Sequence, residues 1–319
     1  MFKEISMPGS KPTLQPEQVL TFLRSHFATP IENLTMLDGG EVAQAFACRT
    51  AGQEYIVRFN FDTMGVNFAK ELYVSQHFGS GQIPIPTIVY VGKFQDFQGA
   101  ISHKIEGQTM KSLPIEAYKQ AFPALIETMY AIHQCAVPDG SGYGVFDAKG
   151  VGRRSSWREF LSGVNAEGDE DEYFGKWHQL FETSFLERDL YECLYARMSE
   201  LLAYCPEERY LVHGDYGFDN VLVRENRIVA VLDWIGALYG DFVYDIAWLD
   251  LWFPGQQTAE YIRRYYTQRG FELPAYEQRV HCYQCYICLS ALRFYAHMNK
   301  PEAYQWMRER VLTLLQDNS

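Results

Sequence analysis

The stretch from Leu211 to Asp233 constrains this chain more than any other. Val221-Leu222-Val223 and Ile228 to Leu232 are apolar, β-rich runs, and Arg224 to Arg227 between them is a polar turn, which reads as a β-hairpin. Pairing Val223 with Ile228 sets Asn220 opposite Val231 and leaves Asp233 about two residues further along its strand. At ~3.3 Å per residue and ~4.8 Å between strands, the Asn220 and Asp233 side chains end within about 10 Å of each other. Asp215 lies just before, in the loop that feeds the hairpin. Three oxygen-bearing side chains around one point suit a hard dication and the phosphates it carries.

An Asp, an Asn five positions later and a strand-end Asp is the spacing of the protein-kinase catalytic loop and its metal-binding Asp. Two details depart from it. His213-Gly214-Asp215 lacks the kinase Arg, and Asp233-Trp234-Ile235 stands where kinases have Asp-Phe-Gly. In these features the chain resembles the aminoglycoside phosphotransferase family, which is kinase-like in fold. The resemblance implies an α+β, protein-kinase-like architecture: a small antiparallel-sheet N-lobe over residues 1–104, then a larger, mainly helical C-lobe over 105–319 with the catalytic β-hairpin. It also implies roles. Asp215 orients an acceptor hydroxyl and takes its proton, while Asn220 and Asp233 hold magnesium across the phosphates of ATP or GTP. His213 and Asp241 support the loop from behind, and Asp245 caps the helix that follows.

Ahead of the loop, Pro16 to Phe27 has the apolar stripe of a helix. Leu34–Leu37, Ala45–Cys48 and Tyr55–Phe59 follow as a β-meander. The Gly39-Gly40 turn would lie over nucleotide phosphates, since small residues let backbone N–H groups approach, although an ordinary hairpin turn explains it equally well. Arg58 falls where the kinase pattern has a phosphate-binding Lys; a guanidinium grips two oxygens at once. Phe68 to Phe78 reads as a helix that carries Glu71 at the position of the partner carboxylate. A solvated strand Arg and helix Glu is the plainer alternative. Ile83-Pro84-Ile85-Pro86 forces extended chain into the next strand, Gly99 to Lys104 closes the sheet, and Ile105-Glu106-Gly107 is the hinge. His103 and Ile105 are thereby candidates for contact with the base.

Further motifs are similar to the hygromycin B branch of that family. They are Y-I-V-R-F-N at 55–60, F-A-K-E-L-Y-V-S-Q-H-F at 68–78, I-P-I-P at 83–86 and G-Q-T-M-x-x-L-P at 107–114, with Ser141 to Gly144 and Trp157 to Phe160. The likeness spans residues from about 18 to 250, and that branch itself carries Arg on the third strand.

Beyond Pro114 the chain is helical: Ile115–Cys135, Trp157–Leu161, Phe185–Tyr204, Thr258–Arg269, Tyr276–His297 and Pro301–Leu315, with Gly140–Gly152 as a glycine-rich loop. Asp245 and Asp250 are candidates for the acceptor cleft. Glu167 to Glu172 is an acidic run of the kind that is usually a solvated loop. Cys282, Cys285 and Cys288 lie inside one apolar helix, without a fourth ligand at metal-site spacing, and read as buried structural thiols.

The 319 residues are 47% hydrophobic and 21% charged, the balance of a soluble globular protein. A net charge of −12 argues against nucleic acid, which needs a basic footprint, and is compatible with a cationic small-molecule acceptor. Seven cysteines at scattered spacing do not form a disulfide framework. With no run near the ~20 apolar residues of a membrane span, a cytoplasmic location is expected and a membrane partner is not.

The expected activity is transfer of a γ-phosphate to a hydroxyl of a hygromycin-like aminoglycoside. Kinases of choline-like, sugar or macrolide acceptors remain open, because the shared motifs serve the nucleotide and not the acceptor. A protein kinase is disfavoured, since only seven residues separate Asp233 from Asp241, too few for an activation loop. A pseudokinase-type binding module is disfavoured because each catalytic position holds a competent residue.

Overall fold

Alternation along β3 decides where the first core lies and which face is left for chemistry. The computed structural model describes residues 11–38, 43–61, 67–168, 175–254 and 257–316. Helix α1 (Pro16–His26) lies across a sheet of β1 (Glu32–Leu37), β2 (Gln44–Thr50), β3 (Gln53–Phe61), β4 (Ile88–Phe94) and β5 (Phe97–His103). The strands are antiparallel, in the order β1-β2-β3-β5-β4. Val57 and Phe59 pack with Val19, Phe22 and Leu23 of α1. Phe22 meets Phe59 edge-on at 5.0 Å between ring centroids. A Cβ at Gly99 would lie 2.5 Å from the tip of the Phe22 ring, so glycine is what lets the helix sit this close to β5. Arg58, between Val57 and Phe59, points the other way, toward α2 (Phe68–Phe78).

The rest of the chain is mainly helical. After β6 (Gln108–Thr109) come α3 (Ile115–His133), β7 (Tyr143–Phe146), β8 (Gly152–Arg154), α4 (Trp157–Ser162), α5 (Leu180–Thr183) and α6 (Arg188–Leu201). Then follow β9 (Tyr210–Val212), β10 (Val221–Arg224), β11 (Arg227–Val231), β12 (Leu238–Gly240), α7 (Val243–Trp252), α8 (Thr258–Thr267), α9 (Tyr276–His297) and α10 (Pro301–Gln316). The architecture is thus a sheet region followed by a helical part, as expected.

Three expectations need correction. Gly140–Gly152 is not all loop: β7 lies within it and β8 begins at its end, because β12 pairs with β7 on one side and β9 on the other. Strands of three or four residues gain their hydrogen bonds from distant partners and leave little local pattern. The expected helix from Phe185 to Tyr204 begins only at Arg188, and its last turn tightens into a 3-10 turn at Leu202–Tyr204. Finally, the hairpin pairs Val223 with Ile228 as expected but Leu222 with Ala230. Val229 is therefore an extra residue, a β-bulge, and Asn220 faces Leu232 rather than Val231: the Leu232 N–H donates to the Asn220 carbonyl at 2.7 Å.

The helical part is locked by one buried ion pair. Arg279 of α9 donates to both carboxylate oxygens of Asp241, at 2.8 and 2.6 Å, and the Tyr283 hydroxyl donates to the same carboxylate. Asp241 also accepts the Val243 N–H at the start of α7. Helix α9 runs against α6, α7 and α10, and its Cys282, Cys285 and Cys288 thiols are free and buried there. Among the described residues, no helix is long and apolar enough to cross a membrane.

Both members of the ion pair are almost fully buried. Removing one strands the other's charge, so Arg279→Met is expected to cost about 3–5 kcal/mol of unfolding free energy. Urea denaturation measures this. A loss below about 1 kcal/mol would mean that Tyr283 and the Val243 amide satisfy Asp241 unaided.

Candidate active site

The loop that carries Asp215 is held by its backbone. The His213 and Gly214 N–H groups both donate to the Asp245 carboxylate, at 2.9 Å each. His133 Nε2 contacts the same carboxylate at 3.0 Å, and its Nδ1 meets the Tyr266 hydroxyl at 2.7 Å. Asp245 is wholly buried. The roles expected for the two aspartates are therefore exchanged: Asp245 buttresses the catalytic loop, whereas Asp241 caps α7 and pairs with Arg279. Asp245 does not face an acceptor cleft, and Asp250 accepts the Ala259 N–H at the start of α8. The sequence signal for Asp245 was an acid inside an all-apolar helix turn, a position that must find donors.

His213 bonds to the loop through its ring. The Asp215 N–H donates to its Nδ1 at 3.2 Å, which leaves Nε2–H to donate to the Leu232 carbonyl at 2.9 Å. Burial lowers its pKa, and this neutral tautomer fits both bonds. The ring thus ties the loop to the residue just before Asp233. Gly214 explains the missing Arg. Its φ is +81°, and a Cβ there would lie 2.5 Å from the Gly236 carbonyl oxygen. Only glycine lets the loop approach the turn at Trp234–Gly236 this closely.

Asp233 occupies the left-handed region, at φ 57° and ψ 67°, rare for a residue with a side chain. It turns the chain out of β11 into that short 3-10 turn. Asn220 Nδ2 donates to the Asp215 carbonyl at 2.9 Å, so its Oδ1 is the atom left to face a cation.

On the sheet side, Arg58 and Glu71 form a two-pronged ion pair. The guanidinium also lies 4.9 Å over the Phe68 ring. This is the held cation of the sequence reading, not the solvated alternative. Arg58, Glu71, His103, Ile105, Asn220 and Asp233 all line one cavity of about 360 Å³ between the sheet and the hairpin. Its walls are apolar, with Ile56, Ile85 and Ile88 facing Leu222 and Val231. The Val231 N–H donates to the Pro84 carbonyl at 2.7 Å and ties the hairpin to the segment ahead of β4. Gly39 and Gly40 lie outside the described residues. Asp215 stands beside the cavity, joined to it through Asn220.

Both carboxyls of the candidate site are raised. Burial, reinforced by repulsion from Asp233, pushes the Asp215 carboxyl up to about 7. Burial and the nearby Glu71 raise Asp233 as well, with Arg58 acting in the opposite sense. Two half-buried carboxylates beside an amide oxygen form an oxygen donor set that fits a hard dication.

Comparison with known proteins agrees with this geometry. A family model described as "Phosphotransferase enzyme family" matches residues 33–279. Hygromycin-B 4-O-kinase of Escherichia coli is 32% identical over 286 residues, which is 88% of this chain and 80% of that protein. The crystal structure of aminoglycoside phosphotransferase APH(4)-Ia superposes with a TM-score of 0.82 at 28% identity, covering 96% of this chain and all of that one. A thermostable APH(4)-Ia mutant in ternary complex with AMP-PNP and hygromycin B gives a TM-score of 0.81 at 28% identity, over 95% of this chain and 99% of that one. The chain therefore belongs to the phosphotransferase enzyme family, with the protein-kinase-like fold that its catalytic hairpin foreshadowed.

Proposed function

We propose that this protein transfers the terminal phosphoryl group of a nucleoside triphosphate, bound with magnesium, to a hydroxyl of an aminoglycoside of the hygromycin B type. The observation that carries this reading is one cavity lined by the Arg58–Glu71 pair, Asn220 and Asp233, with Asn220 bonded in turn to the Asp215 carbonyl. The apolar walls suit a flat purine. His103 and Ile105, which line the cavity, would meet its edge. Arg58, fixed by Glu71, grips phosphate oxygens from the sheet side. Asn220 Oδ1 and the Asp233 carboxylate would hold magnesium, which when bound neutralises charge on the phosphates.

Asp215 orients the acceptor hydroxyl and takes its proton as the bond to phosphorus forms. Little else is asked of the protein, because a loose transition state is served mainly by positioning and charge neutralisation. An aminoglycoside acceptor is supported by the 32% identity to the E. coli hygromycin-B kinase. A local feature agrees. A Cβ on Gly217 of the catalytic loop would sit 3.9 Å from Trp248 Nε1. From Trp248 an aromatic strip continues to Trp252, at 5.8 Å, and Trp306, at 5.1 Å. Such a strip offers apolar faces to sugar rings beside the reacting hydroxyl.

A panel of hygromycin B, other aminoglycosides, choline, simple sugars and a macrolide, assayed with labelled ATP and GTP, tests the acceptor. Transfer to hygromycin B above the rest is expected, and transfer only to a non-aminoglycoside would overturn the reading. Asp215→Ala is expected to lower kcat by about 10²- to 10⁴-fold with an unchanged melting temperature; turnover within a few-fold of wild type removes the base. Asp233→Ala is expected to abolish magnesium-dependent nucleotide binding in a calorimeter, and full affinity would contradict its role.

The raised carboxyls give a pH signature. A carboxyl whose pKa is about 7 is partly protonated at neutral pH, and a bound dication favours the ionised form. Binding of the magnesium–nucleotide complex should therefore release protons near pH 7 and almost none near pH 9. Calorimetry in buffers of different ionisation enthalpy reads the proton count; release that does not fall with rising pH would exclude this assignment.

A further inference from the structure

Helix α2 carries a second buried charged side chain beside Glu71. Lys70 is 4% exposed. Its ammonium donates to the Ile235 carbonyl at 2.6 Å and the Ala237 carbonyl at 2.5 Å, and it lies 4.5 Å over the Phe146 ring. Those carbonyls belong to the turn that follows Asp233. The ammonium therefore reaches from the sheet region to the strand-end segment of the helical part. It does so at the segment that aims the Asp233 carboxylate.

Burying an ammonium costs several kcal/mol unless its donors are met. A methionine of the same length would fill this space without that cost. Burial lowers the Lys70 pKa to about 7, and what the group adds is position: its two hydrogen bonds, charge-assisted in the protonated form, fix two carbonyls two residues apart. The segment needs fixing, because Asp233 holds a left-handed conformation that costs a side-chain-bearing residue of order 1–3 kcal/mol. The closing bond of the turn, from the Ala237 N–H to the Trp234 carbonyl, leaves the Ile235 and Ala237 carbonyls for the lysine.

Adjacent residues on a helix point about 100° apart. Glu71 turns to Arg58 and Lys70 turns to the Asp233 segment, from one rigid helix. That helix is anchored at its start, where the Asn67 side chain accepts the Ala69 N–H and Gln98 Oε1 accepts the Phe68 N–H.

We propose that Lys70 is a positioning residue for nucleotide-bound magnesium, locking the Trp234–Ala237 turn to α2 so that the Arg58–Glu71 clamp and the Asp233 carboxylate move as one unit. It touches neither substrate nor cation. The inference rests on the phosphotransferase reading of the same site and names a determinant of the metal's geometry within it.

The test compares wild type, Lys70→Met, which keeps length and loses the donors, and Lys70→Arg, which keeps charge and donors. Each is measured for melting temperature, for magnesium-dependent ATP binding by calorimetry, and for KM of both substrates. In Lys70→Met the half-saturating magnesium concentration and the KM for ATP are expected to rise about 10–100-fold, the range for losing a partner that orients a metal ligand. The KM for the acceptor should stay within about twofold, since uniform loss of binding is not involved. Lys70→Arg should recover most of the magnesium affinity. A merely structural lysine would lower the melting temperature and leave this split absent. Unchanged magnesium dependence in a folded Lys70→Met overturns the proposal, as does a parallel rise in both KM values. Should Lys70→Met fail to fold, Lys70→Arg decides: folded with near wild-type magnesium dependence it supports the lock, and failure of both variants to fold assigns the lysine to stability alone. Wild type that transfers phosphate to nothing in the acceptor panel, while Lys70→Met still weakens magnesium–ATP binding, sinks the proposed activity and leaves the lock standing.

Discussion

Two peptide N–H groups, those of His213 and Gly214, converge on the Asp245 carboxylate, and the site depends on that convergence. The bonds fix the backbone from which Asp215 projects, and no surface carboxylate would hold it as well. In a dry interior a charge-assisted hydrogen bond is shorter and stronger than in water, and leaving the charge unmatched is correspondingly costly. Asp245 is matched by His133 as well, and His133 by Tyr266. The chain of bonds runs from α8 through α3 and α7 to the catalytic loop. The loop is thus positioned by three helices at once.

Around that anchor the protein places more acid than it neutralises. Arg58 is committed to Glu71 and Lys70 to two carbonyls. Asp215 and Asp233 keep raised pKa values, because burial, with repulsion from Asp233 on Asp215 and from Glu71 on Asp233, leaves the ionised forms undercompensated. Under the proposed function, a bound cation would offset this excess of acid.

The seven residues between Asp233 and Asp241 show how close packing replaces a regulatory segment. They are consumed by the Trp234–Gly236 turn and by β12, which is paired on both edges with β7 and β9. Nothing is left over to form a mobile activation loop. Gly214 belongs to the same economy of space. Where protein kinases carry an Arg that reaches such a loop, this chain needs a residue without a Cβ, so that the Gly236 carbonyl can sit against it. The two departures from the kinase pattern, in His213-Gly214-Asp215 and in Asp233-Trp234, therefore have one cause: the turn after Asp233 is packed onto the loop that carries Asp215.

The spacing of Asp215, Asn220 and Asp233, the Arg58–Glu71 pairing and most helices were legible in the sequence, because each rests on local periodicity or on a motif whose chemistry fixes its intervals. The sequence misled where distant partners decide the outcome. The bulge at Val229, the strands β7, β8 and β12, and the exchanged roles of Asp241 and Asp245 depend on which donor lies nearest once helices have packed. An aspartate in an apolar turn announces that it will be buried, but not whether an arginine or two backbone amides will meet it. The linear chain thus determined the family and the kind of chemistry, and it supplied the candidate residues. Only the tertiary structure decided which carboxylates would be met by donors and which left with raised pKa values, because that balance is set by burial and by neighbours that no sequence interval records.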